Sequence, residues 1–175
     1  MTLFAVDVRP QCLTILGHDL RAPASDAEWA ALRRIQRLTL RDRAGRPYPA
    51  EPKSNGPDRQ ALVLVYRGIV VGTVRIDRLD ETRVALRHVA IDPARQGEGH
   101  GAQLIEMAET LAAAQGAVEV VLHAVASSVS FYEKLGYQPV DWDEPAEHAT
   151  SVNLGKLLVA PSVLRRWLEP YATAA

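Results

Sequence analysis

The chain contains a single cysteine, Cys12, among its 175 residues, so no disulfide can form within it. Stability must therefore come from a hydrophobic core, and a chain of this length can bury roughly two thirds of its unfolded surface. The absence of disulfides is typical of proteins in a reducing compartment. We expect Cys12 to be a small, buried hydrophobic residue.

Neither sign of charge is in excess, because 20 Lys and Arg residues face 21 Asp and Glu residues and give a net charge of -1. This balance argues against nucleic acid as a partner, since proteins that bind polyanions usually carry a basic excess. Long apolar runs are also missing, and none approaches the roughly 18 residues of a membrane span. Residues 1–8 lack the basic region and the apolar core of a signal peptide. We therefore expect a cytoplasmic protein with no membrane partner.

What the chain does have is a series of short patterned segments. Apolar, β-branched runs predict strands, and helical periodicity predicts helices. The predicted elements are strands 3–8 and 13–16, a helix starting at Asp26 or Ser25, strands 61–66 and 69–76 around an Arg67-Gly68 turn, strand 84–91, helix 99–115 ending at Gly116, strand 118–125, a short helix 127–135 ending at Gly136, and strands 137–142 and 150–159.

This order predicts one domain, residues 1–175, of the α/β (α+β) class, with a mixed central sheet of about six or seven strands and helices on both faces. Residues 61–159 form its predicted core. Residues 42–59 are rich in proline and predict either a lid or a poorly ordered loop. Residues 160–175 carry an amphipathic stripe that predicts a C-terminal helix, which either packs on its own domain or forms a homodimer contact.

The sequence Q-G-E-G-H-G at residues 96–101 follows a predicted strand and opens a predicted helix. Glycines at a helix start expose backbone N–H groups to phosphate. A Walker loop is excluded, because Ala102 and Gln103 stand where that motif needs Lys and Ser or Thr. A dinucleotide fingerprint matches formally, but residues 92–96 separate its first glycine from the strand, and the chain has too few βα units to build that fold.

The third pattern, Q/R-x-x-G-x-G/A, is matched in full by residues 96–101, and here the chain resembles the GNAT superfamily of acetyl-CoA-dependent N-acetyltransferases. V-A-I-D-P at residues 89–93 resembles the central strand of that family and its exit. F-Y-E-K-L-G-Y at residues 131–137 is similar to the family segment F-Y-E-K-L-G-F/Y, and V-G-T-V-R at residues 71–75 is similar to its third strand. The resemblance covers residues 61–159.

The resemblance implies a GNAT fold and acetyl-CoA as cosubstrate, with no metal. Backbone N–H groups in the glycine run would bind the pyrophosphate, and the strand before it would pair with the pantetheine amides as an added strand does. A free N–H of that strand would also polarise the thioester carbonyl. The implied cofactor-binding residues are Val89, Ala90, Ile91, Arg95, Gln96, Gly97, Glu98, Gly99, His100, Gly101 and Ser128.

Two side chains are the candidate catalytic residues. Tyr132 matches the tyrosine of the family segment and becomes the general acid, because a phenol of pKa about 10 can protonate a departing thiolate of pKa about 8.5. His123, near the end of strand 118–125, is the candidate base, since the pKa of imidazole suits the task. His88 and Glu98 are alternatives, as is deprotonation through water. Four acids in the stretch before the last strand are candidates for attracting a cationic amine: Asp141, Asp143, Glu144 and Glu147.

The resemblance thus implies an enzyme that transfers acetyl from acetyl-CoA directly to a primary amine of a small molecule or peptide. Cys12 is far in sequence from the motifs, which gives a covalent cysteine route little support. Two alternatives stay open, namely transfer of another acyl group and a non-catalytic domain that senses coenzyme A or acts as a scaffold. The acceptor side is expected to come from the first helix, residues 42–59 and the last hairpin.

Overall fold

One mixed sheet organises the part of the chain that the structure, a computed structural model, describes: residues 12–40, 56, 58–142 and 151–158. Three helices accompany the strands within these ranges. The strands are β1 (Cys12–Ile15), β2 (His18–Arg21), β3 (Arg59–Tyr66), β4 (Ile69–Arg78), β5 (Arg83–Ile91), β6 (Glu119–Val125), β7 (Gln138–Pro139) and β8 (Ser151–Leu157); the helices are α1 (Asp26–Thr39), α2 (His100–Ala114) and α3 (Val129–Lys134).

The strands lie in the order β1-β2-β3-β4-β5-β6-β8-β7. Only β5 and β6 are parallel among these neighbours, and the connection between them is α2, as a parallel pair requires. The predicted mixed sheet is confirmed, with eight strands rather than six or seven. The strand that apolar patterning missed is β2, because its sequence H-D-L-R contains one apolar residue and gains its pairing from β1 and β3.

The β3–β4 hairpin forms around Arg67 and Gly68, as the sequence predicted. Both residues have positive φ, 50° and 77°. Two consecutive left-handed residues are the requirement of a type I′ turn, whose twist matches that of the flanking strands. Leu16 and Gly17, with φ of 50° and 78°, repeat this device between β1 and β2.

Helices cover both faces of the sheet, as predicted, because consecutive residues of a strand point to opposite faces. On β3, Leu62 and Leu64 join the core beneath α2 and α3. Ala61, Val63 and Val65 pack instead beneath α1. Helices α2 and α3 therefore bury one layer of apolar side chains on one face of the sheet, and α1 buries a second layer on the other face.

The structure decides between the two candidate residues at the start of α1, and it corrects the prediction for Cys12. Ser25, not Asp26, caps α1, since its hydroxyl accepts a hydrogen bond from the Glu28 N–H at 3.2 Å. Asp26 is instead the first helical residue, where its negative charge favours the helix N-terminus. Cys12 is exposed rather than buried, because it lies on β1, which is the edge strand of the sheet among the described residues.

Glu28 links α1 to β2 through Arg21, and this link makes a pH-dependent contribution to the free energy of unfolding. Its carboxylate accepts hydrogen bonds from the Arg21 guanidinium at 2.7 and 2.8 Å and from the Ala24 N–H at 2.6 Å. The Arg21 hydrogen bonds are the main cause that lowers the pKa of Glu28 from 4.5 to about 2. A carboxylate with a lowered pKa stabilises the fold above its unfolded pKa, and this is lost as pH falls through its folded pKa.

We therefore expect the free energy of unfolding of the wild type to exceed that of Glu28→Gln by a constant amount above about pH 5. This difference should shrink as pH falls from about 4.5 toward about 2. Urea unfolding at a series of pH values measures it. Glu106→Gln, at an exposed glutamate of α2, is the matched control. A Glu28 difference that is as large at pH 3 as at pH 7 would contradict the assignment.

Some predicted features lie outside the described residues and stay predictions. These are the strand 3–8, the helix 160–175 with its homodimer contact, residues 143–150, and the 42–59 loop apart from Gly56, Asp58 and Arg59. The division into a single domain over 1–175 also stays a prediction. Within the described ranges, no helix is both long and apolar enough to cross a membrane.

Candidate active site

The sheet opens between its two parallel strands. β5 and β6 are paired from Arg83 with Glu119 to Leu86 with Leu122. Past these four residue pairs β5 continues to Ile91 and β6 to Val125, and the ladder between them does not extend. Each strand stays paired on its other side, with β4 and β8 respectively. The result is a V-shaped gap whose walls are strand backbones.

A β-bulge at His88 shapes the β5 wall of the gap. His88 has a φ of 51°, and the register with β4 shifts by one residue between Thr73 and Arg75. The Thr73 hydroxyl donates a hydrogen bond to the His88 carbonyl at 3.1 Å. An extra residue inverts the alternation of side chains along a strand. Accordingly Val89 packs on the α2 side, as Leu86 does three residues before it.

The glycine run follows β5 after a single 3-10 turn, Pro93–Arg95. Gly97 and Gly99 have φ of 82° and 85°, values that favour glycine. A Cβ at either position would meet no heavy atom within 4 Å. Glycine is therefore required for the backbone conformation, and it leaves the space in front of the loop open to a ligand.

The same loop forms the N-terminus of α2. Gly99 is the N-cap residue, and within the described chain no side chain caps it. The first helical N–H groups, those of His100, Gly101 and Ala102, have no acceptor inside the helix, whereas the Gln103 N–H bonds to the Gly99 carbonyl at 3.3 Å. These donors and the positive end of the helix dipole make a site for an anionic group.

The His100 side chain turns away from this anion site into the protein. It is buried, and its Nδ1 lies 2.9 Å from Nε2 of His18 on β2. Its Nε2 lies 3.3 Å from a carboxylate oxygen of Glu98. Burial, followed by the neighbouring His100, lowers the pKa of His18. The backbone N–H of His100 is thus one of the donors at the anion site, while its imidazole links α2 to β2 through His18.

The two most specific sequence motifs touch one another. A Cβ at Gly101 would lie 3.4 Å from the Phe131 ring and 3.8 Å from the Ile91 side chain. Glycine at this position lets α3 pack closely on the start of α2. The segment 131–137 is thereby held against the glycine run, which explains in physical terms why two motifs thirty residues apart belong to one site.

Tyr132 lies in α3 on the α2 side of the sheet. It packs edge-to-face with Phe131 and Tyr137, at centroid distances of 5.1 and 5.6 Å. Burial raises the pKa of Tyr132 to about 12. The phenol is therefore protonated at neutral pH and can act as a proton donor.

His123 lies on β6 as the first residue past the last β5–β6 pair, and its side chain is on the α1 side of the sheet with that of Val121. Its Nδ1 lies 2.8 Å from Oδ1 of Asn153, the residue directly opposite it on β8. The imidazole stacks on the Trp142 indole, with ring centroids 4.2 Å apart and planes 16° apart. Nε2 is buried and has no hydrogen-bond partner among the described residues.

The other predicted residues line the approach to the gap. Arg95 and Glu98 are half-exposed and lie 3.6 Å apart. The Gln96 side chain donates a hydrogen bond to the Ile91 carbonyl at 3.3 Å, which ties the loop to the end of β5. Ser128 ends the 3-10 turn Ala126–Ser128 that leads from β6 into α3.

The stretch of four acids is only partly described. Asp141 is exposed, and Asp143, Glu144 and Glu147 lie outside the described residues.

Sequence reasoning missed the surroundings of His123. Asn153 and Trp142 both contact its ring. Arg87 lies 5.4 Å from the centroid of the Trp142 indole, and Asp77 is within 3.0 Å of Arg87. Asn153 is one of three polar residues in β8, with Ser151 and Lys156, and its partner depends on the register between β6 and β8.

Among the described residues, no group of three or more His, Cys, Asp and Glu side chains is arranged to hold a metal ion.

Comparison with known proteins shows which proteins this fold and gap resemble. Residues 57–139 match the family model described as "Acetyltransferase (GNAT) domain". Over this range, 83 of the 175 residues, the chain is similar to the acetyltransferase domain of the GNAT family. The matched range ends just past the segment 131–137, so it contains both motifs described above.

Solved structures share the fold at low sequence identity. An aminoglycoside 6'-N-acetyltransferase complexed with coenzyme A has a TM-score of 0.65 at 19% identity, covering 80% of this chain and 97% of that one. The GNAT domain of S. lividans PAT has a TM-score of 0.64 at 19% identity, covering 81% and 90%. The ribosomal-protein-S18-alanine N-acetyltransferase from Escherichia coli has a TM-score of 0.63 at 16% identity, covering 81% and 94%.

Proposed function

We propose that this chain is an N-acetyltransferase that moves acetyl from acetyl-CoA directly to a primary amine of a small molecule or peptide. The observation that carries the proposal is the coincidence of two features at one end of β5. Among the described residues the β5–β6 ladder ends at Leu86 and Leu122, which leaves two strand edges facing the gap, and the first N–H groups of α2 beyond it have no acceptor inside the helix. Coenzyme A has the matching chemistry, since a pantetheine arm with two amides is joined to a pyrophosphate.

The residues present fit this cosubstrate. Val89, Ala90 and Ile91 supply the strand edge for the pantetheine amides, in the manner of an added strand. The N–H groups of residues 96–101 hold the pyrophosphate, and Arg95 adds a positive charge beside it. Ser128, at the end of the turn that leads from β6 into α3, is the candidate contact on the other wall. Acetyl-CoA supplies the activated acetyl group as a thioester.

Tyr132 is the proposed general acid. As the amine nitrogen bonds to the acetyl carbon, the carbon–sulfur bond breaks and the sulfur leaves with a negative charge. Tyr132 donates its phenolic proton to that sulfur. Burial raises the pKa of the phenol, but a buried thiolate is destabilised by the same low polarity, so the two pKa values rise together.

His123 is the proposed general base, and its ring lies on the face of the sheet opposite to Tyr132. Val121 and His123 share the α1 side of β6, whereas Leu122 belongs to the core on the α2 side together with Tyr132. The closed part of the sheet separates these faces as far as Leu122. Past it the sheet is open, so an acid on one face and a base on the other can serve one bound thioester.

The position of Cys12 supports direct transfer without a cysteine intermediate. Cys12 is on β1, four strands away from β5 in the sheet. With neighbouring strands about 4.8 Å apart, this places it roughly 19 Å from the gap. The acetyl group would have to cross most of the sheet to reach its sulfur.

Release of free thiol from acetyl-CoA, measured over a panel of primary amines, tests the proposal. The panel should contain polyamines, aminoglycosides, amino acids and peptides with free N-termini. We expect thiol release that depends on one class of amine and yields its N-acetyl product by mass spectrometry. Tight binding of coenzyme A without release for any acceptor favours a sensing or scaffold domain. Release with propionyl-CoA or succinyl-CoA but not with acetyl-CoA favours transfer of another acyl group.

A further inference from the structure

We infer that Asn153 and Trp142 are positioning residues that hold the His123 imidazole with Nε2 as its proton-accepting atom. The inference rests on the proposed function, and it assigns parts to two residues outside the motifs of the family. It specifies the tautomer and the orientation of the His123 imidazole. The tautomer can be measured in the protein without a ligand.

Asn153 sets the tautomer. The two residues are directly opposed across the β6–β8 ladder, and Oδ1 of Asn153 lies 2.8 Å from Nδ1 of His123. An amide oxygen has no proton to give, so Nδ1 must carry the proton and donate it. A neutral imidazole carries one proton, and Nε2 therefore keeps its lone pair.

Trp142 sets the orientation of the ring. It is 8% exposed and packs with Ala85 and Val121, which fixes the indole against the sheet. The imidazole lies flat on it, 4.2 Å between centroids. A stacked indole restricts rotation of the imidazole and so fixes the direction in which Nε2 points.

The charges around this ring pair belong to neighbouring strands. The Arg87 guanidinium of β5 lies 5.4 Å from the Trp142 centroid. Asp77 of β4 accepts hydrogen bonds from Arg75 at 2.7 and 2.8 Å and lies 3.0 Å from Arg87. The Asp77 carboxylate thereby offsets part of the positive charge that faces the indole from β4 and β5. From β8 the imidazole meets a neutral amide, Asn153.

A neutral partner suits a base that must be unprotonated at neutral pH. A carboxylate at position 153 would favour the imidazolium, in which Nε2 carries a proton and cannot accept another. An amide orients the ring without this effect. Nε2, buried and without a partner among the described residues, keeps an unused acceptor lone pair.

The first test is nitrogen NMR of the His123 ring in the free protein, assigned by comparison with His123→Gln. We expect the wild type to show a protonated Nδ1 and an unprotonated Nε2 at neutral pH. Asn153→Ala should convert the signal to a mixture of tautomers. Ser151→Ala, a polar-to-alanine change on the same strand, is the matched control and should leave the ring unaffected. A protonated Nε2 in the wild type, or an unchanged ring in Asn153→Ala, overturns the inference.

The second test is the pH profile of acetyl transfer. We expect Asn153→Ala to lower kcat about tenfold with the KM for acetyl-CoA unchanged, because part of the general-base contribution is lost. Asn153→Asp keeps the acceptor oxygens, so it should restore kcat at high pH while moving the acidic limb of kcat/KM up by about one pH unit. Equal losses in both variants at every pH would indicate a merely structural role and would overturn the inference.

The two tests separate this inference from the proposed function. The NMR measurement needs no acetyl transfer, so a fixed Nδ1–H tautomer that depends on Asn153 is established or refuted in the free protein. Absence of thiol release for every amine would refute the proposed function and, with it, the catalytic purpose of the ring. If thiol is released but the His123 tautomer does not change in Asn153→Ala, only the inference is refuted.

Discussion

Tyr132→Phe is expected to lower kcat about 100-fold while the affinity for coenzyme A stays unchanged. The substitution removes one oxygen from a ring that packs between Phe131 and Tyr137, and the packing itself is retained. What is lost is the proton donor for the departing sulfur. Since burial raises the pKa of Tyr132 to about 12, the phenol stays protonated through the working pH range, and the loss should be equally large at pH 7 and pH 9.

Tyr137→Phe is the matched control for this prediction. Its ring lies 5.6 Å from that of Tyr132 in the same buried cluster, and the substitution again removes a single hydroxyl. Steady-state kinetics gives kcat, and calorimetry with coenzyme A gives the dissociation constant. We expect kcat of Tyr137→Phe to stay within a few-fold of the wild type. Equal kcat losses in the two variants, or none in Tyr132→Phe, would remove Tyr132 from the mechanism.

Gly99→Val is expected to weaken coenzyme A binding roughly 30-fold, which corresponds to about 2 kcal/mol. Gly99 has a φ of 85°, and a β-branched side chain is strongly disfavoured there. The loop must either hold the strained conformation or give up the arrangement of N–H groups around the anion site. The new side chain would also occupy the open space through which a phosphate approaches.

Gly116→Val is the matched control, because it introduces similar backbone strain far from the proposed coenzyme A site. Gly116 follows the other end of α2, has a φ of 94°, and likewise has no heavy atom within 4 Å of a Cβ position. Both variants should lose similar free energy of unfolding, on the order of 1–2 kcal/mol for the left-handed residue. Only Gly99→Val should lose affinity, measured by calorimetry at a temperature where both variants are folded. Comparable affinities in the two variants would contradict the pyrophosphate assignment.

Much of this architecture follows from local patterns. The Arg67-Gly68 turn was predictable because two β-branched runs flank a dipeptide that suits a tight turn. The glycine run was predictable because glycine, helix start and strand end occur together in the sequence. The helices on both faces were predictable because apolar residues alternate or recur at helical spacing. In each case the information lies within about ten residues.

The features that escaped prediction depend on pairing between distant residues. β2 has one apolar residue and becomes a strand only because β1 and β3 provide hydrogen-bonding edges on both sides. The His123–Asn153 contact depends on the register between β6 and β8, which are separated by 25 residues containing α3 and β7. A shift of one residue would have placed Val152 or Leu154 opposite His123 instead. No local pattern distinguishes these registers.

The short β5–β6 ladder has a consequence for how the molecule holds together. Four residue pairs and the packing of α2 join a five-stranded half, β1 to β5, to a three-stranded half, β6, β8 and β7. Each half is internally continuous, so the seam between them is the natural line of cooperative opening. A ligand bound along both walls contacts both halves of the sheet. Its binding free energy adds to the free energy required to separate them. Coenzyme A, bound as proposed, would therefore raise the free energy needed to open the molecule along this seam.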